Sequence, residues 1–181
     1  MVMMILIFIW GFSEAVWFFI IPDVILTFYA LCNKKFKYVV YANAAAVSGA
    51  MIGGITVFVW SSISPEHAEN FMLGIPAVHE YMIEHVHQTL ENSIFTALIT
   101  GPLFGVPYKL FASAAPEYTG MLIFLLFTIP ARLLRFLLVS SIAYLLSHYI
   151  FKNLSFWLKT VIWLIVWIIV YIIYFSIHSF F

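Results

Sequence analysis

Apolar runs dominate this chain, and the polar positions that interrupt them fall in a few places. Met1–Cys32 is apolar apart from Glu14 and Asp23. As one helix it would run roughly 48 Å, too long for one crossing of a bilayer core and too short for two crossings with a turn. That length predicts a re-entrant hairpin folding back at Pro22-Asp23, or one broken span. Asn33-Lys34-Lys35-Phe36-Lys37 follows as a basic cluster, and Tyr38–Ser62 is a full uncharged span. Its centre is built of small residues (Ala44 to Ala46, Ser48, Gly49, Ala50, Gly53, Gly54). Small residues let helices approach closely in lipid, so this span is expected at the middle of the bundle.

Ser64–Ser93 is the polar stretch. Val78, Met82, Val86 and Leu90 recur every four residues, with Glu80, Glu84, His87 and Glu91 on another face. The pattern predicts an amphipathic helix lying on the membrane surface or on the protein. Ile94–Pro116 is apolar again but interrupted by Gly101-Pro102 and by Gly105-Val106-Pro107. Gly120–Phe151 is a long span carrying Pro130, Arg132 and Arg135. Lys152 and Lys159 bracket a short loop, and residues 156–181 make a last transmembrane helix, uncharged from Thr160 onwards.

The lysines choose between topologies. Lys34, Lys35 and Lys37 should share the cytoplasmic side with Lys152 and Lys159, which requires an even number of crossings between the groups. Tyr38–Ser62 and Gly120–Phe151 supply two, so Ile94–Pro116 should enter and leave on one side. The stretch Ser64–Ser93, with glutamates but no Lys or Arg, then falls outside. By the same token Met1–Cys32 reads as a hairpin from the inside. Phe19-Ile20-Ile21-Pro22 and Phe104-Gly105-Val106-Pro107 occupy equivalent places at the two tips. The expected fold is therefore all-α and integral to the membrane, one polytopic domain over residues 1–181. It comprises two inverted repeats of re-entrant hairpin plus transmembrane helix, a surface helix between them and a C-terminal transmembrane helix.

Composition narrows the class. With 65% hydrophobic residues, 9% charged and a mean hydropathy of +1.07, a soluble globular domain is excluded, since those carry about 25% charged residues. A formal net charge of zero offers no basic patch for nucleic acid. The lone Cys32 precludes an internal disulfide and reads as a packing residue. The apolar N-terminus has neither a basic n-region nor a small-residue cleavage site, and is read as a retained membrane segment.

Five ionisable residues remain inside the apolar runs: Glu14, Asp23, Lys109, Arg132 and Arg135. Each lies near a helix-disrupting Pro22, Gly101 to Pro107, or Pro130. A charge at mid-membrane costs at least about 2.5–3.5 kcal/mol and survives where it is paired or faces water. Backbone freed by proline is tolerated there only against protein or a water-filled cavity. Arg132 and Arg135 are one turn apart, on one face. Arginine's planar fork binds phosphate bidentately, and Lys109 adds a point charge at a tip. Three cations in this setting point to an anionic lipid headgroup. The competing structural account pairs Glu14 and Asp23 with two of those charges to hold the hairpins in the bundle; an ion pair that opens on binding would satisfy both. Glu14 and Asp23 are also candidates for carrying coupling protons, because burial and a nearby arginine act on a carboxyl in opposite senses.

Other chemistry fares worse. His79-Glu80 with Glu84, His85 and His87 lacks the zincin spacing, position 83 being Ile. Ser48 with His148 lacks a nucleophile turn. No enzyme, metal or cofactor is expected. Trp60, Tyr149, Trp157 and Trp163 fall near span ends, as in an interfacial belt.

The motifs resemble the DedA family, also called the VTT or SNARE-associated Golgi protein family, in its short YqaA-like branch. The first is Phe12-Ser13-Glu14 running to Ile21-Pro22-Asp23. The second is Gly101-Pro102-Leu103-Phe104-Gly105-Val106-Pro107-Tyr108-Lys109, then Ala112 to Ala115, then Arg132-Leu133-Leu134-Arg135-Phe136. The resemblance spans about residues 8–150. It departs from the family pattern in having Ile20-Ile21 before Pro22 and in delaying glycine to Gly120. It implies two opposed re-entrant hairpins meeting at mid-membrane and movement of lipid between leaflets. In a bacterial inner membrane the cargo would be undecaprenyl phosphate or a phospholipid, with proton or sodium coupling as an option. The implied headgroup site is Lys109, Arg132 and Arg135 with Tyr108; Pro22, Gly101, Pro102, Gly105 and Pro107 shape the tips. Two alternatives stay open: a proton-coupled exporter of small cations using Glu14 and Asp23, and a structural partner of a membrane complex. Small-residue faces also suit a homo-oligomer.

Overall fold

A computed structural model describes residues 1–103 and 105–178, all of its regular structure helical. Helix α1 (Val2–Val16) and helix α2 (Asp23–Cys32) are both too short to cross a bilayer. The break between them falls where Pro22 removes a backbone donor, and Pro22 caps α2 with Asp23 in its first turn. Trp10 Nε1 donates to the Ile20 carbonyl (3.0 Å), satisfying one backbone group that the break leaves open.

Helix α3 (Phe36–Ile63) takes the central place expected from its small residues, packing on α1, α2 and the second half of the chain. A Cβ on Gly49 would overlap the Phe8 carbonyl, and one on Gly11 the Ala46 carbonyl. The two backbones thus meet through reciprocal glycines, as small residues permit in lipid.

The polar stretch is two helices rather than one: α4 (Pro65–Leu73) and α5 (Glu80–Asn92). Gly74 and Pro76 end the first, and Ala77 adopts φ 61°, which no helix tolerates. Val78, Met82, Val86 and Leu90 are all buried in the largest apolar cluster. Of the two resting places expected for the amphipathic face, α5 therefore uses the protein.

The third apolar stretch is broken where glycine and proline predicted. Helix α6 (Ile94–Thr100) passes into a 3-10 turn at Gly101–Leu103, and helix α7 (Tyr108–Ala114) starts after Pro107. Gly105 has φ +84°, a conformation that favours glycine. Phe104, one member of the Phe-x-x-Pro tip repeat, lies outside the described residues.

Helix α8 (Met121–Leu145) ends in a π-helical turn, Leu146–Ile150. Pro130, a residue that disrupts helices, lies within continuous helix, in keeping with the long span read over Gly120–Phe151. Proline removes a single i→i−4 hydrogen bond, and Thr128, Ala131 and Arg132 beside it are buried against protein. Helix α9 (Phe156–Ile177) has no buried residue and lies on the outside. Trp163, placed by sequence in an interfacial belt, has a bonding role as well. Its Nε1 and that of Trp167 both donate to Thr27 Oγ1 (2.9 and 3.0 Å), tying α9 to α2. Three helices, Phe36–Ile63, Met121–Ile150 and Phe156–Ile177, are long and apolar enough to cross a membrane, which gives the chain the makeup of an integral membrane protein.

Charge is sorted along the bundle. The Tyr144 hydroxyl donates to the Lys34 carbonyl (2.8 Å), and Lys159 Nζ to the Ser147 carbonyl (2.7 Å). The Lys34–Lys37 cluster and the Lys152–Lys159 loop thus occupy one end. At the other, Trp60 packs edge-on against Phe71, His87 meets Tyr118 (2.8 Å) and Glu117 (3.6 Å), and Tyr81 meets His178 (2.6 Å). Five lysines mark the first end; Glu66, Glu69, Glu80, Glu84, Glu91 and Glu117 mark the second. The remaining charges are the five inside.

Candidate functional site

Those five gather where the two broken segments meet α8. Glu14, near the end of α1, is ion-paired to Arg132 Nη2. Asp23, at the start of α2, accepts from Arg135 Nη2 at 2.7 Å. Because Arg132 and Arg135 share one face of α8, this helix clamps the two sides of the first break with two successive cations. Glu14 (3% exposed), Asp23 (2%), Arg132 (4%) and Lys109 (1%) are buried in protein. The pairing expected on structural grounds is therefore present.

Lys109 is outside that pairing. It sits in the first turn of α7, set there by Pro107, and its Nζ donates to the Phe18 carbonyl at 2.8 Å. Glu14 acts on it only at longer range, from its place beside Arg132. A backbone carbonyl offers a partial charge, so among the described residues three cations face two carboxylates with one positive charge unmatched. Burying an ion without a full partner is costly, which makes Lys109 the electrostatic outlier of the fold.

Tyr108 brings order to the set. Its ring lies beneath the Arg132 guanidinium (4.2 Å to the centroid), and Phe136 flanks the same group at 5.0 Å. The Tyr108 hydroxyl abuts Gly54, where a Cβ would collide with it. Arg132 is thus fixed by stacking and by Glu14 while its Nε and Nη1 make no hydrogen bond among the described residues; Asp23 Oδ1 is likewise without one.

A cavity of about 170 Å³ opens beside these groups. Of the sequence-expected residues, Glu14, Tyr108, Lys109, Arg135, Pro102, Gly105 and Pro107 line it. Arg132, Asp23, Pro22 and Gly101 do not: the first two stand behind the wall in their ion pairs, and a Cβ on Gly101 would strike the Phe111 ring. The expected trio of headgroup cations is thus divided into two on the wall and one behind it. Sequence reading missed the far wall, Tyr171 and Tyr174 of α9. The Tyr171 hydroxyl accepts from the Ile21 N–H (3.0 Å), and the Tyr174 hydroxyl is 3.5 Å from the Gly105 carbonyl. One helix therefore touches both breaks. The available signal was two hydroxyl-bearing tyrosines three apart in an apolar span; nothing in sequence marks the Phe18 carbonyl.

Among the described residues no group of three His, Cys, Asp or Glu is placed to hold a metal ion. Across known proteins, no family model, no curated protein and no solved structure matches the chain.

Proposed function

We propose that this protein moves an anionic, phosphate-bearing lipid between membrane leaflets, with Lys109 and Arg135 receiving the headgroup in the cavity. The observation that carries this is the unmatched charge of Lys109 on the wall of a cavity between two helix breaks. A phosphate monoester there would complete the charge balance that Glu14 and Asp23 leave short. Arg132, held by Glu14 and Tyr108, keeps two unengaged nitrogens, Nε and Nη1, that an opening of its ion pair turns towards the ligand.

In this reading α1–α2 and α6–α7 are re-entrant hairpins of two inverted repeats, and the chain is a DedA-type transporter of a bacterial inner membrane. The five-lysine end faces the cytoplasm by the positive-inside rule. Undecaprenyl phosphate and phospholipids are the cargoes that fit, with Glu14 or Asp23 available for proton coupling. Small-cation export is less well supported, because each carboxylate already faces an arginine.

The test is transbilayer movement in liposomes of a fluorescent polyprenyl phosphate against the matching neutral polyprenol. Protein-dependent movement of the phosphate alone supports the reading. Equal movement of both, or movement of neither together with none of a common anionic phospholipid, refutes it.

A further inference from the structure

A second groove runs between α9 and the α2–α8 pair, about 320 Å³ in volume and separate from the charged site except at Val170, which lines both. Its walls are Leu31, Val139, Ile142, Ala143, Ile162 and Val166 along most of its length. The Thr27 hydroxyl in it is fully engaged, donating to the Asp23 carbonyl and accepting from two indoles. Polar character is confined to one mouth. There the π-helical turn carries Ser147, which is buried (3% exposed) with a hydroxyl that makes no hydrogen bond among the described residues. Lys159 folds over the same turn, one of its three protons donated to the Ser147 carbonyl.

We infer that this groove is a binding site for one anionic phospholipid of the leaflet at the lysine-bearing end, its phosphate on Lys159 and Ser147 and one acyl chain along the groove. Three independent features agree. The mouth joins a cation with free protons to a buried, unengaged hydroxyl, a pair that suits a phosphate oxygen. The walls beyond are hydrocarbon, which only a chain covers favourably. The length also fits: Val170 lies eleven positions beyond Lys159 on α9, about 16 Å along the axis, close to half of a roughly 30 Å hydrocarbon core. The groove is thus one leaflet deep and ends where the charged cavity begins. The π-helical turn that ends α8 builds the mouth.

The site stands whether or not the charged cavity transports anything, because its test reads occupancy rather than flux. Full-length protein in phosphatidylcholine vesicles is irradiated with phosphatidylglycerol carrying a diazirine on the acyl chain, and adducts are mapped by mass spectrometry. Matched photoreactive phosphatidylcholine serves for comparison. The expected result is adducts concentrated on Ile142, Val166 and Val170, about fivefold more with phosphatidylglycerol, the worth of one lysine beside an anionic headgroup. Lys159→Gln should bring the two lipids to parity, and Ala143→Phe should clear adducts from the groove. Adducts spread evenly over lipid-facing positions such as Leu122 and Leu126, or equal labelling by both lipids in the unaltered protein, would overturn it. The unaltered protein decides the matter even if a variant fails to fold.

Discussion

Lys109 reaches across 91 residues to donate to the carbonyl of Phe18 at 2.8 Å. The cation of one helix break thereby holds the backbone of the other. This contact joins the halves of the chain at the place where both lack regular helix. It is also a weak partner for a buried charge, so a better anionic acceptor would displace it. That makes it a contact suited to change when a headgroup arrives.

The Glu14–Arg132 pair should matter more when broken than when removed. Glu14→Gln strands a buried guanidinium, an effect of roughly 3–5 kcal/mol for buried pairs. Replacing both partners, Glu14→Leu with Arg132→Met, should recover most of that. Thermal unfolding in detergent checks the order: the single variant melts well below the double. A double variant melting as low as the single would show that the pair itself holds α1 to α8.

Glycine contacts between α1 and α3 set a second expectation. Gly49→Ala forces a methyl group into the Phe8 carbonyl, so it should destabilise by about 1–3 kcal/mol. Gly120→Ala meets nothing within 4 Å and should be silent. Midpoints of thermal unfolding compare the two.

Orientation follows from the sorting of charge. With Cys32 replaced by Ser, a membrane-impermeant maleimide applied to intact cells should label Glu84→Cys and spare Asn153→Cys, which lies in the Lys152–Lys159 loop. Labelling of the loop position alone would invert the proposed topology.

Acid should loosen the His178 end of α9. Burial first, and His79 second, hold His178 below the ordinary histidine value of 6.5. A lowered folded value means the neutral ring is the folded form. Its contribution is complete above pH 6.5 and declines as pH falls below that value. Hydrogen exchange of the α9 terminus, corrected for intrinsic rate, should rise below about pH 6 in the unaltered protein and much less in His178→Phe.

Much of this was legible in sequence. Gly101, Gly105, Pro107 and Pro22 announced both breaks because each restricts or frees the backbone in a way helices cannot absorb. The small residues of α3 announced its central place, and the five charges inside the apolar runs announced themselves by their cost in lipid. Other features were not legible. Pro130 looks like Pro22 in sequence, yet α8 runs through it unbroken, with Thr128, Ala131 and Arg132 buried beside it while Ile129 and Pro130 face outwards. The division of Ser64–Ser93 was signalled by Gly74 and Pro76, which the four-residue apolar repeat of Val78 to Leu90 overshadowed; the left-handed Ala77 between the helices had no signal of its own. Which cation lacked a partner could not be read at all, because it depends on which arginine each carboxylate reaches. Tyr171 and Tyr174 joined the site through the docking of a helix that periodicity leaves without a preferred face.

The most direct measurement is the rate of polyprenyl phosphate movement across liposomes for Lys109→Met, with Lys109→Arg beside it and folding verified by thermal unfolding. If the unmatched charge receives the headgroup, Met abolishes movement while Arg retains a measurable part. Full movement by a folded Lys109→Met protein would contradict that account.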